Sequence, residues 1–168
     1  MMLEIAFDAD EEWDSSKRWE PLVRKAAEAA IAESAFPDLM DSDRAIEMSV
    51  TLTGDDEVQA LNSKWRGKDK PTNVLSFPMA DDLDFARSTV SGPELLLGDI
   101  ILAHGVCEAE ASEKGVPFEQ HATHLVVHGT LHLLGYDHQD DAQASDMEAR
   151  EVRALARLGI ADPYRTDT

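Results

Sequence analysis

The sequence is poor in cysteine, in cations and in long apolar runs, and each shortage excludes something. One cysteine, Cys107, stands among 168 residues, so no internal disulfide can form and a reducing compartment is expected. Its bland reading is a small buried hydrophobe. No stretch approaches the roughly 18 to 20 apolar residues of a membrane span, and the greasiest segment, Leu95 to Ala103, is interrupted by Gly98 and Asp99. The opening MMLEIAFDADEEWD is acidic where a secretion signal carries basic residues. A cytoplasmic protein without a membrane partner is expected. Lys and Arg number 15 against 34 Asp and Glu, a net charge of -19. Such a field repels polyanions, so a nucleic acid partner has to be held by a local basic patch or a metal. Four of the cations, Lys64, Arg66, Lys68 and Lys70, fall close together; charge alone reads them as a solvated loop.

What is present suits one compact domain over residues 1–168, since hydrophobic residues make up 43% of the chain and charged ones 29%. Residues Met2 to Ala9 alternate as a strand, and helical spacing of Trp19, Leu22, Val23, Ala26, Ala30 and Ile31 predicts a helix from Ser16 to Phe36, ended by Pro37. Ala45 to Thr53 reads as a strand with one wet face, because Ile46, Met48, Val50 and Leu52 alternate with Glu47, Ser49 and Thr51. A helix capped by Thr53 or Asp55 follows to Trp65. Short strands are expected at Asn73 to Phe77 and Gly98 to Ala103, separated by an irregular loop from Met79 to Pro93. Helices follow from His104 to Lys114, from Pro117 to Leu134 and from Gln143 to Leu158. This order predicts an α+β fold, a mixed sheet of about four strands with helices packed against it and a metal-binding central helix.

Five of the six histidines lie in HATHLVVHGTLHLLGYDH, residues 121–138. At about 100° per residue, His121, His124, His128 and His132 form a stripe on one helix face. Leucines and valines cover much of the remaining circumference, so the helix is expected to be buried, and several unpartnered imidazoles there would each be destabilising by about 1–3 kcal/mol. A metal gives them a shared explanation. His128 and His132, at i and i+4, can meet one zinc ion; Gly135 ends the helix in a left-handed turn; His138 returns as third ligand. The pattern has the spacing of the long metzincin motif. Three histidines leave the fourth tetrahedral position to water, the arrangement of catalytic rather than structural zinc. Gly129, however, stands where those proteases carry their glutamate base, which points away from peptide hydrolysis and towards a phosphodiester substrate. His124 is assigned beside the ligands or in the core, His121 near the exposed helix start, and Asp137 either to orienting an imidazole or to the turn.

HGTLHLLGYDH, preceded by HLVV, resembles the signature of the YbeY family, bacterial zinc-dependent endoribonucleases of ribosomal RNA maturation. LNSKWRGKDKPTNVLSFP and LLGDIIL are similar to two further stretches of that family, and the likeness spans about residues 45 to 158. It implies zinc, one per chain, on His128, His132 and His138, the ligands that spacing selects. It also implies a catalytic or RNA-binding Arg66 near the metal, and a mixed sheet with helices around a cleft. The implied partners are ribosomal RNA and the small ribosomal subunit, with 3′-end processing and ribosome quality control as the setting; no DNA partner is expected. An arginine fork on a phosphate would suit a site without a glutamate base. Two other readings fit part of the pattern: a non-catalytic ribosome assembly or RNA-binding factor with structural zinc, and a metalloprotease.

Overall fold

A computed structural model describes residues 3–14, 18–41, 44–81, 85 and 94–164. In chain order the elements are β1 (Leu3–Ala9), α1 (Trp19–Ala32), a 3-10 turn (Pro37–Asp41), β2 (Ile46–Thr53), α2 (Asp55–Arg66), β3 (Val74–Pro78), β4 (Leu95–Ala103), α3 (His104–Lys114), α4 (Phe118–Leu133) and α5 (Asp141–Arg157). The four strands form one mixed sheet in the order β1-β2-β4-β3. Parallel pairs join β1 to β2 and β2 to β4, and β3 runs antiparallel along β4. The fold class is therefore the expected α+β arrangement.

Alternation decides what each strand buries. In β2, Ile46, Met48, Val50 and Leu52 are buried while Glu47, Ser49 and Thr51 are partly open, the period-2 pattern of a strand with one covered face. β4 lies deeper: Ile100, Ile101, Leu102 and Ala103 are all buried because helices cover both of its faces. On one side α4 contributes Leu125, Val126, Val127 and Leu131 to the main core, with Val23, Ala26, Ala27 and Ala30 of α1. On the other, Val58 of α2 packs with Leu75 and Ile101, and Leu61 and Val106 close over them.

Two glycines matter to the geometry of the site. The β2–β4 register slips between Glu47 and Met48, beside Gly98, whose φ is +139° and where a Cβ would stand 2.2 Å from the Phe77 carbonyl oxygen. A side chain there would push β3 off the sheet edge. Gly129 of α4 faces β4, and a Cβ on it would lie 3.1 Å from Cγ2 of Ile100. The central helix is thus seated closely on the sheet.

Several boundaries differ from expectation. The first helix ends at Ala32, and Pro37 opens the 3-10 turn instead of stopping the helix. β4 begins at Leu95, three residues before the expected start at Gly98, since Leu95 and Leu97 join the core. Gly54 occupies the N-cap of α2 with no side-chain cap. Asp55 instead accepts a hydrogen bond from the Val106 amide, 3.1 Å, in the first turn of α3, while Thr53 donates to Glu57. Much of the expected loop from Met79 to Pro93, residues 82–84 and 86–93, lies outside the described residues, as do Met2 and Ser16.

Candidate metal centre

The C-terminal end of α4 turns sharply. Gly135 has φ +97° and its amide bonds the His132 carbonyl at 3.0 Å, followed by Tyr136 to Leu131 at 3.1 Å, so the last carbonyls of the helix are satisfied as the chain reverses. Tyr136 anchors the turn: its hydroxyl accepts from the Ala35 amide at 2.8 Å, and the Arg150 guanidinium lies 4.9 Å from its ring centre. His138 is thereby carried back over the helix end. One ring nitrogen each from His128, His132 and His138 lie within 4.8 Å of one another.

Hydrogen bonds fix which nitrogens face the shared point. His132 Nδ1 is 2.8 Å from the Tyr136 carbonyl oxygen; a carbonyl only accepts, so Nδ1 carries the proton and Nε2 keeps its lone pair. His128 Nδ1 likewise donates to Oε1 of Glu151 at 3.0 Å. The two Nε2 atoms then face each other at 3.0 Å, an arrangement of opposed lone pairs that a cation between them relieves. Two nitrogens on a tetrahedral ion at about 2.0–2.1 Å stand about 3.3 Å apart, so the pair needs only a small adjustment. The donor set fits a metal. Burial, with the neighbouring His128 adding to it, pushes the His132 imidazole down to about 4, which keeps it neutral and ready to ligate at physiological pH.

Glu151 of α5 is the functional residue that sequence reasoning missed. It is 1% exposed and accepts from His128, from His124 Nε2 at 2.9 Å and from the Tyr164 hydroxyl at 3.0 Å to each oxygen. Burial by itself would raise its carboxyl, but the hydrogen bonds from His124 and His128 override that and hold it at about 2. A signal existed: Glu151 follows Met147 by four residues and precedes Leu155 by four on the apolar face of its helix, and a lone carboxylate on such a face needs partners. His124 sits beside His128 and shares its carboxylate partner, as one of the expected placements had it. His121 departs from expectation. It is 3% exposed because α3 packs over the start of α4, and its Nε2 meets Oε1 of Glu110 at 2.8 Å. Asp137 serves the turn, accepting from the His138 amide at 2.8 Å and from Gln139, and its Oδ1 also lies 3.4 Å from Nδ1 of the His138 ring, so both expected roles meet in this carboxylate.

The three histidines open onto a cleft of about 520 Å³ whose walls include Arg66, Asn73 and Ser76. Arg66 reaches it from the end of α2; Lys64, Lys68 and Lys70 are exposed and do not line it. Asn73 is firmly held, donating to Glu110 at 3.1 Å and accepting from the Val74 amide at 2.7 Å. The Gly129 position points at Ile100 of the sheet, so a glutamate there would enter the core and not the cleft.

Comparison with known proteins agrees with this architecture. Residues 5–159 match the family model described as Endoribonuclease YbeY, which takes in the N-terminal third that the sequence motifs left out. A protein of Rhizorhabdus wittichii named Endoribonuclease YbeY is 54% identical over 164 residues, covering 97% of each chain. One of the same name from Novosphingobium aromaticivorans is 51% identical, over 97% of this chain and 96% of its own. A solution structure from Thermotoga maritima has the same fold, with TM-score 0.54 and 24% identity across 96% of this chain and 99% of the other. The family match and these near full-length identities together settle the relationship: the chain belongs to the YbeY family.

Proposed function

We infer that this protein is a zinc-dependent endoribonuclease of ribosomal RNA maturation, acting as a single hydrolase domain, with His128, His132 and His138 holding the metal and Arg66 acting on the phosphate. The observation that carries the reading is the pair of Nε2 atoms opposed at 3.0 Å beside a third imidazole, at the floor of a cleft that Arg66 also lines. When bound there, zinc supplies Lewis acidity towards a phosphoryl oxygen and lowers the pKa of water to about 7.

The chain's own residues do the rest. Glu151 and the Tyr136 carbonyl hold the two helical imidazoles in the ligating tautomer and orientation. Arg66 can grip a phosphate with two parallel N–H donors and offset charge that grows on it during cleavage. Its side chain is exposed, so it can be met by a substrate arriving from solvent. Gly129, turned into the sheet, leaves peptide hydrolysis without its usual base. A chain of net charge -19 has little long-range pull on free RNA, which supports a ribosome-bound setting; membership of the YbeY family is what suggests the small subunit, the cytoplasm, 3′-end processing and ribosome quality control for it. No helix among the described residues is long and apolar enough to cross a membrane.

Metal content and cleavage of a defined RNA, measured side by side for the wild type and two variants, test this. His132→Ala is expected to lose zinc and cleavage together. Arg66→Glu is expected to keep zinc and the wild-type melting temperature while losing about 100- to 1000-fold in rate, the range that loss of one donor to a transition-state charge costs. Undiminished cleavage by zinc-free His132→Ala would overturn the metal assignment; full activity of Arg66→Glu would remove the arginine from the mechanism.

A further inference from the structure

The two carboxylate oxygens of Glu151 are unequally engaged. Oε1 takes Nε2 of His124 at 2.9 Å, Nδ1 of His128 at 3.0 Å and the Tyr164 hydroxyl at 3.0 Å. For Oε2 the Tyr164 hydroxyl, also at 3.0 Å, is the sole hydrogen-bond partner among the described residues. One phenolic proton is thus shared across both oxygens, and the phenol straddles the edge of the carboxylate. Glu151 is 1% exposed, so bulk water does not reach it to take over that contact, and the hydroxyl fixes how the carboxylate is rotated. The same phenol steadies His124: its oxygen lies 3.2 Å from Nε2 and its ring meets the imidazole edge to face at 5.4 Å. Nδ1 of His124 has no hydrogen-bond partner among the described residues, so hydrogen bonds orient this ring from the Nε2 side alone.

Two turns beyond α5 deliver the hydroxyl. At the helix end Gly159 has φ +76°, its amide bonds the Ala156 carbonyl at 3.1 Å and the Ile160 amide bonds Leu155 at 3.0 Å, which ends the helix and redirects the chain. Ile160 packs against the main core, and Ile160 and Pro163 share with His121 and His124 the walls of a cavity of about 270 Å³. Asp162 then accepts from the Tyr164 amide at 2.8 Å, a local turn that sets the direction of the ring. Tyr164 is itself 40% exposed. A ring so open to solvent gains little from burial; what the segment brings to the interior is the hydroxyl.

We propose that Tyr164 is a positioning residue of the metal centre: by bridging both oxygens of Glu151 it holds the carboxylate in the rotation that keeps the proton of His128 on Nδ1 and its Nε2 turned to the shared point. The segment after α5 thereby sets metal affinity from outside the cleft. The proposal rests on the metal assignment made above. His132 supplies the contrast, because its Nδ1 is held by the Tyr136 carbonyl, which Tyr164 does not touch. Loss of the phenolic oxygen should disturb one helical ligand and spare the other.

Tyr164→Phe keeps the ring and removes only that oxygen. Zinc affinity of the full chain, read by competition with a chromophoric chelator, is expected to fall about 3- to 10-fold in this variant, less than the loss of a ligand's direct partner costs. In a Glu151→Ala background the same substitution should change affinity by less than about twofold, since the carboxylate through which the hydroxyl acts is gone. Imidazole nitrogen NMR of the metal-free chain gives a second readout that needs no metal: Tyr164→Phe should lower the fraction of His128 protonated at Nδ1 and leave the His132 pattern as in wild type. Wild-type affinity in Tyr164→Phe, an equal fall in both backgrounds, or equal disturbance of His128 and His132 would overturn the proposal and reduce the tyrosine to a fastening for its own segment. A wild type that binds no zinc, with the His128 pattern still altered in Tyr164→Phe, would defeat the metal reading and leave the positioning role standing; zinc held equally well with and without the hydroxyl would do the reverse.

Discussion

The two halves of the histidine stripe on α4 carry the same side chain at the same helical spacing and do different things. At the N-terminal half, His121 and His124 spend their Nε2 atoms on the carboxylates of Glu110 and Glu151. At the C-terminal half, His128 and His132 spend Nδ1 on Glu151 and a backbone carbonyl, which leaves both Nε2 atoms turned towards each other and His138. Spacing makes the stripe; the hydrogen-bond partner of the other ring nitrogen decides which histidines can ligate. Glu151 joins the two halves, bonding one histidine of each.

Breaking that joint is expected to have the largest effect on the comparison. Glu151→Gln keeps the shape but can no longer accept from all three donors with two carboxylate oxygens, and zinc affinity should fall about 10- to 100-fold, read by competition with a chromophoric chelator. Unchanged affinity would mean that the imidazoles need no orienting carboxylate. A smaller effect, of a different kind, is expected in the other half. His121→Leu leaves Glu110 without its buried partner and should lower stability by about 1–3 kcal/mol in denaturant unfolding, with zinc stoichiometry untouched. Loss of metal in that variant would erase the distinction between the halves.

The smallest perturbation is a proton. In metal-free protein the His132 imidazole should titrate at about 4, below the roughly 6.5 of an unfolded histidine. Because the folded pKa is the lower one, the unfolded chain takes up the proton first. The contribution of His132 to stability is therefore complete above about pH 6.5 and is lost as the pH falls towards 4. An imidazole NMR titration of the metal-free chain checks this; a midpoint at or above 6.5 would contradict the burial that sets it.

Much of this was legible in the chain before any coordinates. The alternation of Ile46, Met48, Val50 and Leu52 announced a half-covered strand, and Gly135 marked a helix end where the backbone indeed takes positive φ. The three histidines that meet were picked out by local spacing and one glycine turn, which a linear reading can see. Glu151 was not, because it reaches His128 across 23 positions and His124 across 27, and pairing between helices depends on how they pack. The same reason hid His121: its burial comes from α3, whose Glu110 is eleven positions away, and not from its own helix. Asp55, expected with Thr53 as one of two alternative caps for its own helix, serves its neighbour through a contact 51 positions distant.

The central claim is that three imidazoles from one helix end bind a metal and leave a coordination position open. X-ray absorption at the metal edge of zinc-loaded protein tests it most directly. The account predicts three imidazole nitrogens at about 2.0–2.1 Å with one further light scatterer that an added anion can displace. A fourth protein ligand, or fewer than three imidazoles in the shell, would contradict it.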